Sequence, residues 1–426
     1  MELCYGFFRA IRSWMSFKDY NPQCHIGERE LRSTMVMNGI VMLINEFGSV
    51  SGGAEKQAER LAGYLAAHDR PVWIVTRRRP GSASVEAMNG YCVLRPATWG
   101  PGKLKTVTFV LGALWHLWRL RRGYKILHAH LLFGPAFAAA LAGWILQKRV
   151  IVKLGSSGPH GEIQVTRRRF RGRISLALLR RWVDAIIVLD NDMQAEAISV
   201  GFPPGRVFSM FNGIETSSFT PTLSREDAKA ALGMHDKILV LYVGRLVPQK
   251  SLTTLLRALK LAVQSCPSLH LMLVGDGSDQ ESLQALVVSL DIREFVTFAG
   301  RQTNVKPFFN AADIFTLPSE KEGMSNALLE AMTTGLACLA TPVGASSQML
   351  NYGQCGLLLP VGDVSAWGNA LVELGRDPNR RAELGKAAHQ RVMAEYDFSV
   401  VGARYEAFYQ NLMKQAPRHT EIPLET

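Results

Sequence analysis

A chain of 426 residues, 47% hydrophobic and 20% charged, is too long for one core and too ordinary in composition for a disordered or fibrous protein, so two domains are expected. Its six cysteines (Cys4, Cys24, Cys92, Cys266, Cys338, Cys355) include no C-x-x-C pair, which speaks for reduced thiols and against a disulfide framework or zinc site. The net charge of +12 is lopsided: residues 1–213 hold 29 Lys/Arg against 14 Asp/Glu and the remainder 19 against 22, so the first half is expected to meet something anionic, with nucleic acid and an acidic membrane face as candidates.

Residues 1–34 form an N-terminal extension without a clear secretory signal, because charge and aromatics are mixed through Met1–Phe17. Within it, Tyr5–Phe17 reads either as a frayed tail or as an interfacial helix with one apolar and one basic face. From Met35 a regular alternation begins. Strands are expected at Gly39–Ile44, Pro71–Thr76, Tyr91–Leu94, Lys125–His128, Val150–Leu154, Ala185–Leu189 and Val207–Phe211. Helices join them, among them Ala54–Ala67 after the Ser51-Gly52-Gly53 turn and Val107–Leu120. The longest uncharged apolar run, Leu131–Leu146, is short for a membrane span and reads as a buried helix.

Asn212–Ala228, with Gly213, Pro221 and several Ser/Thr, reads as a linker. The alternation restarts with strands at Ile238–Val243, Leu269–Val274, Phe295–Phe298, Ile314–Leu317, Ala337–Thr341 and Gly356–Leu359. Beyond Arg380 only helix is expected. The division predicted is a first domain over 35–213, a second over 214–398, a helix over 399–415 returning to the first domain, and a tail over 416–426. The fold class is α/β: two Rossmann-like, doubly wound parallel-sheet domains facing a cleft, where such sheets bind ligands.

Two stretches of the second half carry chemistry. In Tyr242–Ser251 (YVGRLVPQKS), Gly244 ends a strand and Arg245 and Lys250 follow on a loop, ahead of a helix expected to be capped near Ser251. Two cations beside a helix start suit a diphosphate; alone, they are also what a solvated loop looks like. In Pro318–Thr341 (PSEKEGMSNALLEAMTTGLACLAT), Glu322 and Glu330 flank a helix start capped by Ser325 or Asn326, with Gly335 just past the helix end. The first glutamate belongs to the entering loop and the second about one turn into the helix. Both follow the same strand, so they read as ligands of a phosphate-seated substrate and not as the facing acid pair of a glycosidase.

In this order and on these elements, GR-x-x-x-x-K and E-x7-E resemble the retaining glycosyltransferases of family 4, which have the GT-B fold; the likeness runs from about Gly39 to Met413. The resemblance implies that Arg245 and Lys250, on the loop opened by Gly244, bind the donor diphosphate, that Glu330 bonds the ribose and that Glu322 lies beside the transferred sugar. It further implies that Gly323, Met324, Ser325 and Asn326 cover sugar and phosphate. In the first half, Gly52-Gly53-Ala54-Glu55 resembles the family's glycine loop, with Gly53 giving close approach to phosphate or acceptor. The KILHAH stretch places His130 in a loop after a strand, where similar enzymes face the reacting sugar, and Asn212-Gly213-Ile214 resembles the turn opening the interdomain linker. Two departures stand out: Ala337 where the family often has proline, and Leu154-Gly155 where it often has His-Gly, the latter on the acceptor side.

Two patterns point to other chemistries and are set aside. Asp190-Asn191-Asp192 resembles a metal-binding D-x-D, but acids opening a helix are ordinary caps. Gly275-Asp276-Gly277 begins a dinucleotide fingerprint that Gln280 breaks. The basic clusters at Arg77–Arg79, Arg119–Arg122, Arg167–Arg173 and Arg180-Arg181 are interleaved with Trp115, Trp118, Phe170 and Trp182. No nucleic-acid module accompanies them, so an anionic leaflet or a solvated face is the reading.

The expectation is thus a metal-independent, retaining hexosyltransferase without a cofactor. It takes a UDP- or GDP-sugar donor and a saccharide or lipid-linked acceptor, in polysaccharide or glycolipid synthesis, and is cytoplasmic with peripheral contact at the inner face of the membrane. The resemblance has the departing phosphate help take the acceptor proton, with no dedicated protein base. A nucleotide-sugar epimerase and a non-catalytic membrane-surface protein of the same fold are the alternatives.

Overall fold

The computed structural model describes residues 38–47, 52–132, 134–156, 158, 161–168, 170–220 and 223–415, without the side chains of 103 and 171. The expectations for the N-terminal extension with its Tyr5–Phe17 helix, for Ser51, for Pro221 and for the tail from Ala416 lie outside the described residues. The chain divides into two compact units: one runs to Met210 and includes the chain from Gly402 on, the other is Phe211–Val401.

The first unit contains β1 (Gly39–Leu43), α1 (Gly53–Ala67), β2 (Val72–Val75), β3 (Val85–Met88), β4 (Tyr91–Leu94), α2 (Gly102–Arg119), β5 (Tyr124–His130) and α3 (Gly134–Leu146). It continues with β6 (Arg149–Lys153), α4 (Glu162–Arg167), α5 (Phe170–Trp182), β7 (Ala185–Val188), α6 (Asn191–Ser199) and β8 (Val207–Ser209). The sheet order is β3-β4-β2-β1-β5-β6-β7-β8, parallel except for β3, which pairs antiparallel with β4. β1, β2, β4, β6 and β7 are buried at every position, because helices cover both faces.

The second unit contains α7 (Arg225–Ala231), β9 (Ile238–Val243), α8 (Leu252–Ser265), β10 (Leu269–Val274), α9 (Gln280–Ser289), β11 (Val296–Gly300), α10 (Lys306–Ala311) and β12 (Ile314–Leu317). α11 (Asn326–Thr333), β13 (Ala337–Ala340), α12 (Ser346–Met349), β14 (Leu357–Leu358), α13 (Val364–Arg376) and α14 (Pro378–Arg391) follow. Its sheet, β11-β10-β9-β12-β13-β14, is wholly parallel. Leu255, Leu259, Leu271, Leu339, Trp367 and Leu371 are fully buried in its core, each such side chain contributing about 1.5–3 kcal/mol of transfer free energy. α8 and α13 approach closely enough that a Cβ on Gly368 would lie 3.3 Å from the Ala258 carbonyl oxygen.

The last helix, α15 (Phe398–Lys414), belongs to the first unit from Gly402 on. There Glu406 pairs with Arg70 at 2.8 Å, Tyr409 Oη meets His128 Nδ1 at 2.7 Å, and Gly402 packs where a Cβ would lie 2.6 Å from the Tyr64 ring.

Some sequence expectations are corrected. β5 runs on through His130, which is its last residue and not part of a loop. The Val207–Phe211 strand stops at Ser209, and the second helix begins at Gly102, not Val107. β3 was missing altogether, and the expected linker holds a 3-10 turn at Thr216–Phe219 and the start of α7. Among the described residues no helix is long and apolar enough to cross a membrane.

Candidate functional site

In the second unit the chain runs β9, β10, β11 toward one edge and then returns to place β12 on the other side of β9. Loops after β9 and β12 therefore leave the sheet at a point where the winding reverses, the place where such sheets bind ligands. Both chemistry-bearing stretches of the second half lie there.

The loop after β9 is fixed by its neighbours. Tyr242 Oη donates to the Arg245 carbonyl at 2.9 Å, and a Cβ on Gly244 would fall 2.7 Å from that same hydroxyl. Leu246 N donates to Asp276 O at 2.8 Å and Asp279 N to Leu246 O at 2.9 Å. Cβ atoms on Gly275 and Gly277 would meet the Gly244 and Leu246 carbonyl oxygens at 1.9 and 2.1 Å. The broken dinucleotide fingerprint is thus the support on which the Gly244–Leu246 loop rests. Arg245 itself is exposed.

That loop is tied to the one after β12. Glu320 N donates to Gln249 O at 2.9 Å, and Ser251 Oγ donates to Glu320 Oε1 at 3.2 Å. Lys250 and Glu322 form an ion pair, and Ser319 Oγ donates to the same Glu322 oxygen at 2.8 Å. Ser251 precedes α8 in the left-handed region (φ 48°) and its hydroxyl goes to Thr254 and Glu320, so the expected side-chain cap is not made. The cap at Ser325 is made: its Oγ accepts from Leu328 N at 3.3 Å, and the positive end of the α11 dipole follows Glu322 by three residues. Gly335 sits at φ 69° just past the helix end.

Gly323 O accepts from Ala345 N at 2.8 Å, and Met324 Sδ accepts from Asn212 N at 3.1 Å. Glu330 is buried among partners on α11 and Asn326 opens that helix. Gly344, at φ 57°, has Gly323 O where a Cβ would come within 2.3 Å and Glu322 O within 2.6 Å. Sequence reasoning missed this glycine, which lets the β13–α12 turn press against the Glu322 loop.

In the first unit the winding reverses between β1 and β5. Gly53 is the first residue of α1 after β1, exposed, and His130 ends β5. His130 is 2% exposed and stacks on His128 at 4.3 Å between ring centroids; the Nε2 atoms of both rings are buried without a hydrogen-bond partner. Burial, with Lys153 nearby, lowers His130 to about 3. Burial also lowers Lys153, opposite His130 on β6 and over the Tyr405 ring, to about 7. The two side chains form a buried cluster in which burial disfavours charge on both, not a solvated histidine loop.

A second feature escaped sequence reasoning. Glu162, 4% exposed at the start of α4, accepts from Leu132 N at 2.6 Å and from Gly155 N at 2.7 Å. Its carboxylate thereby holds together the ends of β5 and β6, around Leu131, which sits at φ 75°. Gly155 leaves room for it, since a Cβ there would lie 2.9 Å from Glu162 Oε1. Burial outweighs those hydrogen bonds and pushes the carboxyl up to about 7. The signal was present: Glu162 is the single acid between Lys153 and Arg173.

Asp190 caps α6, accepting from Met193 N at 2.7 Å. Part of the aromatic content of the basic clusters is used internally: Arg119 lies over Trp115, Arg121 over Trp118, and Trp182 stacks on Trp144.

Residues 224–391 match the family model described as "Glycosyl transferases group 1" and residues 51–218 the one described as "Glycosyltransferase Family 4". The chain is 24% identical to the N-acetyl-alpha-D-glucosaminyl L-malate synthase of Bacillus anthracis over 69% of this chain and 76% of that protein. It is 25% identical to the GDP-mannose-dependent alpha-(1-6)-phosphatidylinositol monomannoside mannosyltransferase of Mycolicibacterium smegmatis, over 86% of this chain and 96% of that protein. Several other curated relatives are matched over only about half their length. The crystal structure of Anabaena Alr3699/HepE in complex with UDP-glucose superposes with a TM-score of 0.73 at 18% identity, covering 88% of this chain and 99% of that one. With a family match on each unit and the fold shared along nearly its whole described length, the chain belongs to the family 4 glycosyltransferases and has their two-domain GT-B fold.

Proposed function

We propose that the protein moves a hexose from a UDP- or GDP-sugar to a saccharide or lipid-linked acceptor with retention of configuration, in polysaccharide or glycolipid synthesis. The observation that carries this is the joining of the two loops at the β9/β12 reversal through Lys250 and Glu322. In this reading Arg245 and Lys250 neutralise the donor diphosphate, and Gly244 keeps their loop close to the strand end. Gly323, Met324, Ser325 and Asn326 wrap sugar and phosphate at the start of α11, and Glu330 takes the ribose hydroxyls. Glu322 faces the transferred sugar. His130 and Gly53 serve the sugar and acceptor from the first unit.

Charge growing on the departing diphosphate is stabilised by the two cations and the helix dipole, fixed before reaction. These groups supply what a divalent metal would, so the reaction is taken to be metal-independent. UDP-glucose in the HepE crystal and GDP-mannose in the name of the mycobacterial relative support a nucleoside diphosphate donor of either base. The test is a panel of UDP- and GDP-sugars scored for nucleotide release with and without EDTA. One or two donors should be consumed equally in both; abolition by EDTA overturns the metal-independent reading.

We also infer peripheral contact with an anionic membrane through the first unit. Phe170 (77% exposed) and Ile174 (50%) on α5 support it, on a helix with Arg180 and Arg181 in its last turn. Binding to anionic vesicles that weakens with salt supports this contact; binding indifferent to both lipid charge and salt contradicts it.

A further inference from the structure

We propose that an open groove in the first unit, lined by Arg78, Arg79 and Lys105, seats a phosphate group of the acceptor, so that the acceptor is a phosphorylated or diphosphate-linked saccharide. The inference rests on the transferase reading and names its second substrate.

The groove lies where the chain leaves β2 and β4, beside the β1/β5 reversal on the same edge of the sheet, and encloses about 730 Å³. Thr98, Trp99 and Gly81 complete its wall with the three cations. Arg78 and Lys105 are exposed, and Glu46, itself 59% exposed, pairs with Arg79 at 2.7 Å. An exposed pair of that kind is weak, so the groove presents net positive charge to an incoming anion.

The walls are held by hydrogen bonds. Arg79-Pro80-Gly81-Ser82 has the pattern of a type II turn: Ser82 N donates to Arg79 O at 3.1 Å, proline stands second, and Gly81 has φ 79°. Ser82 Oγ fastens it further, accepting from Arg79 N at 3.0 Å and donating to Arg79 O at 2.7 Å. On the facing wall Thr108 Oγ1 accepts from Trp99 N at 3.1 Å. Trp99, 54% exposed, presents a flat apolar face of the kind that packs against a sugar ring.

Arg77 carries the positive charge onward. Its guanidinium lies over the Phe109 ring and donates through Nη2 to Thr106 at 3.4 Å, while its Nε is buried without a hydrogen-bond partner. That same Nη2 lies 3.9 Å from where a Cβ on Gly134 would stand, at the start of α3, four residues after His130. A line of cations therefore runs from the groove toward the end of β5. Phosphate, with several acceptor oxygens and at least one full charge, matches separated arginines and a lysine better than a neutral sugar hydroxyl does.

The experiment titrates inorganic pyrophosphate into the full chain already saturated with UDP or GDP, whichever it binds, so that the donor seat is filled. Arg78→Ala/Lys105→Ala is titrated in parallel, with circular dichroism as a check on folding. The expected result is a pyrophosphate site that persists under saturating nucleotide and weakens about a hundredfold in the double variant, roughly tenfold per cation. Pyrophosphate displaced completely by nucleotide, or bound equally by the double variant, overturns the proposal. A second arm uses phosphatidylcholine vesicles with one-third phosphatidylglycerol. If the double variant loses vesicle binding and wild type shows no pyrophosphate site, the groove faces lipid headgroups and the acceptor assignment is wrong. If pyrophosphate binds through Arg78 and Lys105 but neither UDP nor GDP binds the chain, the acceptor assignment falls together with the transferase reading.

Discussion

Lys250 and Glu322 lie 72 residues apart in the chain and meet as an ion pair with side chains 14% and 11% exposed. On the proposed assignment of Lys250 to the donor diphosphate, a cation paired in this way must share its donors with the incoming phosphate, and Glu322 then works against nucleotide binding. Glu322→Gln should tighten UDP or GDP binding about three- to tenfold, by releasing the ammonium, and reduce turnover about a hundredfold. Calorimetry on the nucleotide and initial rates on the intact donor check the two opposed shifts.

Gly344 is in the left-handed region and in contact with the Glu322 and Gly323 carbonyls. Gly344→Ala should cost about 1–2 kcal/mol of stability and displace the Glu322 loop. The expected kinetic result is a donor KM raised severalfold together with a lower kcat. A variant with wild-type kinetics and a wild-type unfolding midpoint contradicts the role given to this glycine.

Glu162 joins the ends of β5 and β6. Glu162→Gln replaces one acceptor oxygen by a donor and should lower kcat about tenfold. The pH dependence has a definite sign. The unfolded carboxyl releases its proton near 4.5 and the folded one near 7, so the native chain holds the extra proton between them. Stability falls as pH rises through that window, by about 3 kcal/mol at most. Urea midpoints of wild type and Glu162→Gln across pH 4.5–7 should diverge accordingly.

Lys153 has the opposite sign. Its folded pKa near 7 lies below the unfolded 10.5, so the stability linked to its neutral form is complete above 10.5 and is lost as pH falls toward 7. Lys153→Met should therefore stabilise the protein at pH 7, by up to about 4 kcal/mol, and the gain should shrink toward zero as pH approaches 10.5. Denaturant titrations of both proteins across that range read the difference directly.

Much of this was legible in the sequence because parallel strands buried on both faces read as unbroken apolar runs, as at Ile238–Val243 and Leu269–Val274. The Ser325 cap and the Gly335 stop were visible for the same local reason: each is fixed within one helix turn. β3 was missed because Val85–Met88 is short, polar at Glu86 and antiparallel at the sheet edge. Gly344 and Glu162 were missed because their partners are brought together by the sheet: Gly323 stands 21 residues before Gly344, and Leu132 stands 30 residues before Glu162. Extension of β5 through His130 turned an expected loop histidine into a buried one, which spacing alone did not indicate.

The most direct measurement is the rate of nucleotide release from the accepted donor by Lys250→Ala and Glu330→Ala, with proton NMR of the wild-type product to read the anomeric configuration. Each substitution should slow release at least about a hundredfold, and the product should keep the configuration of the donor. Variants with undiminished release, or an inverted product, would contradict the proposed function.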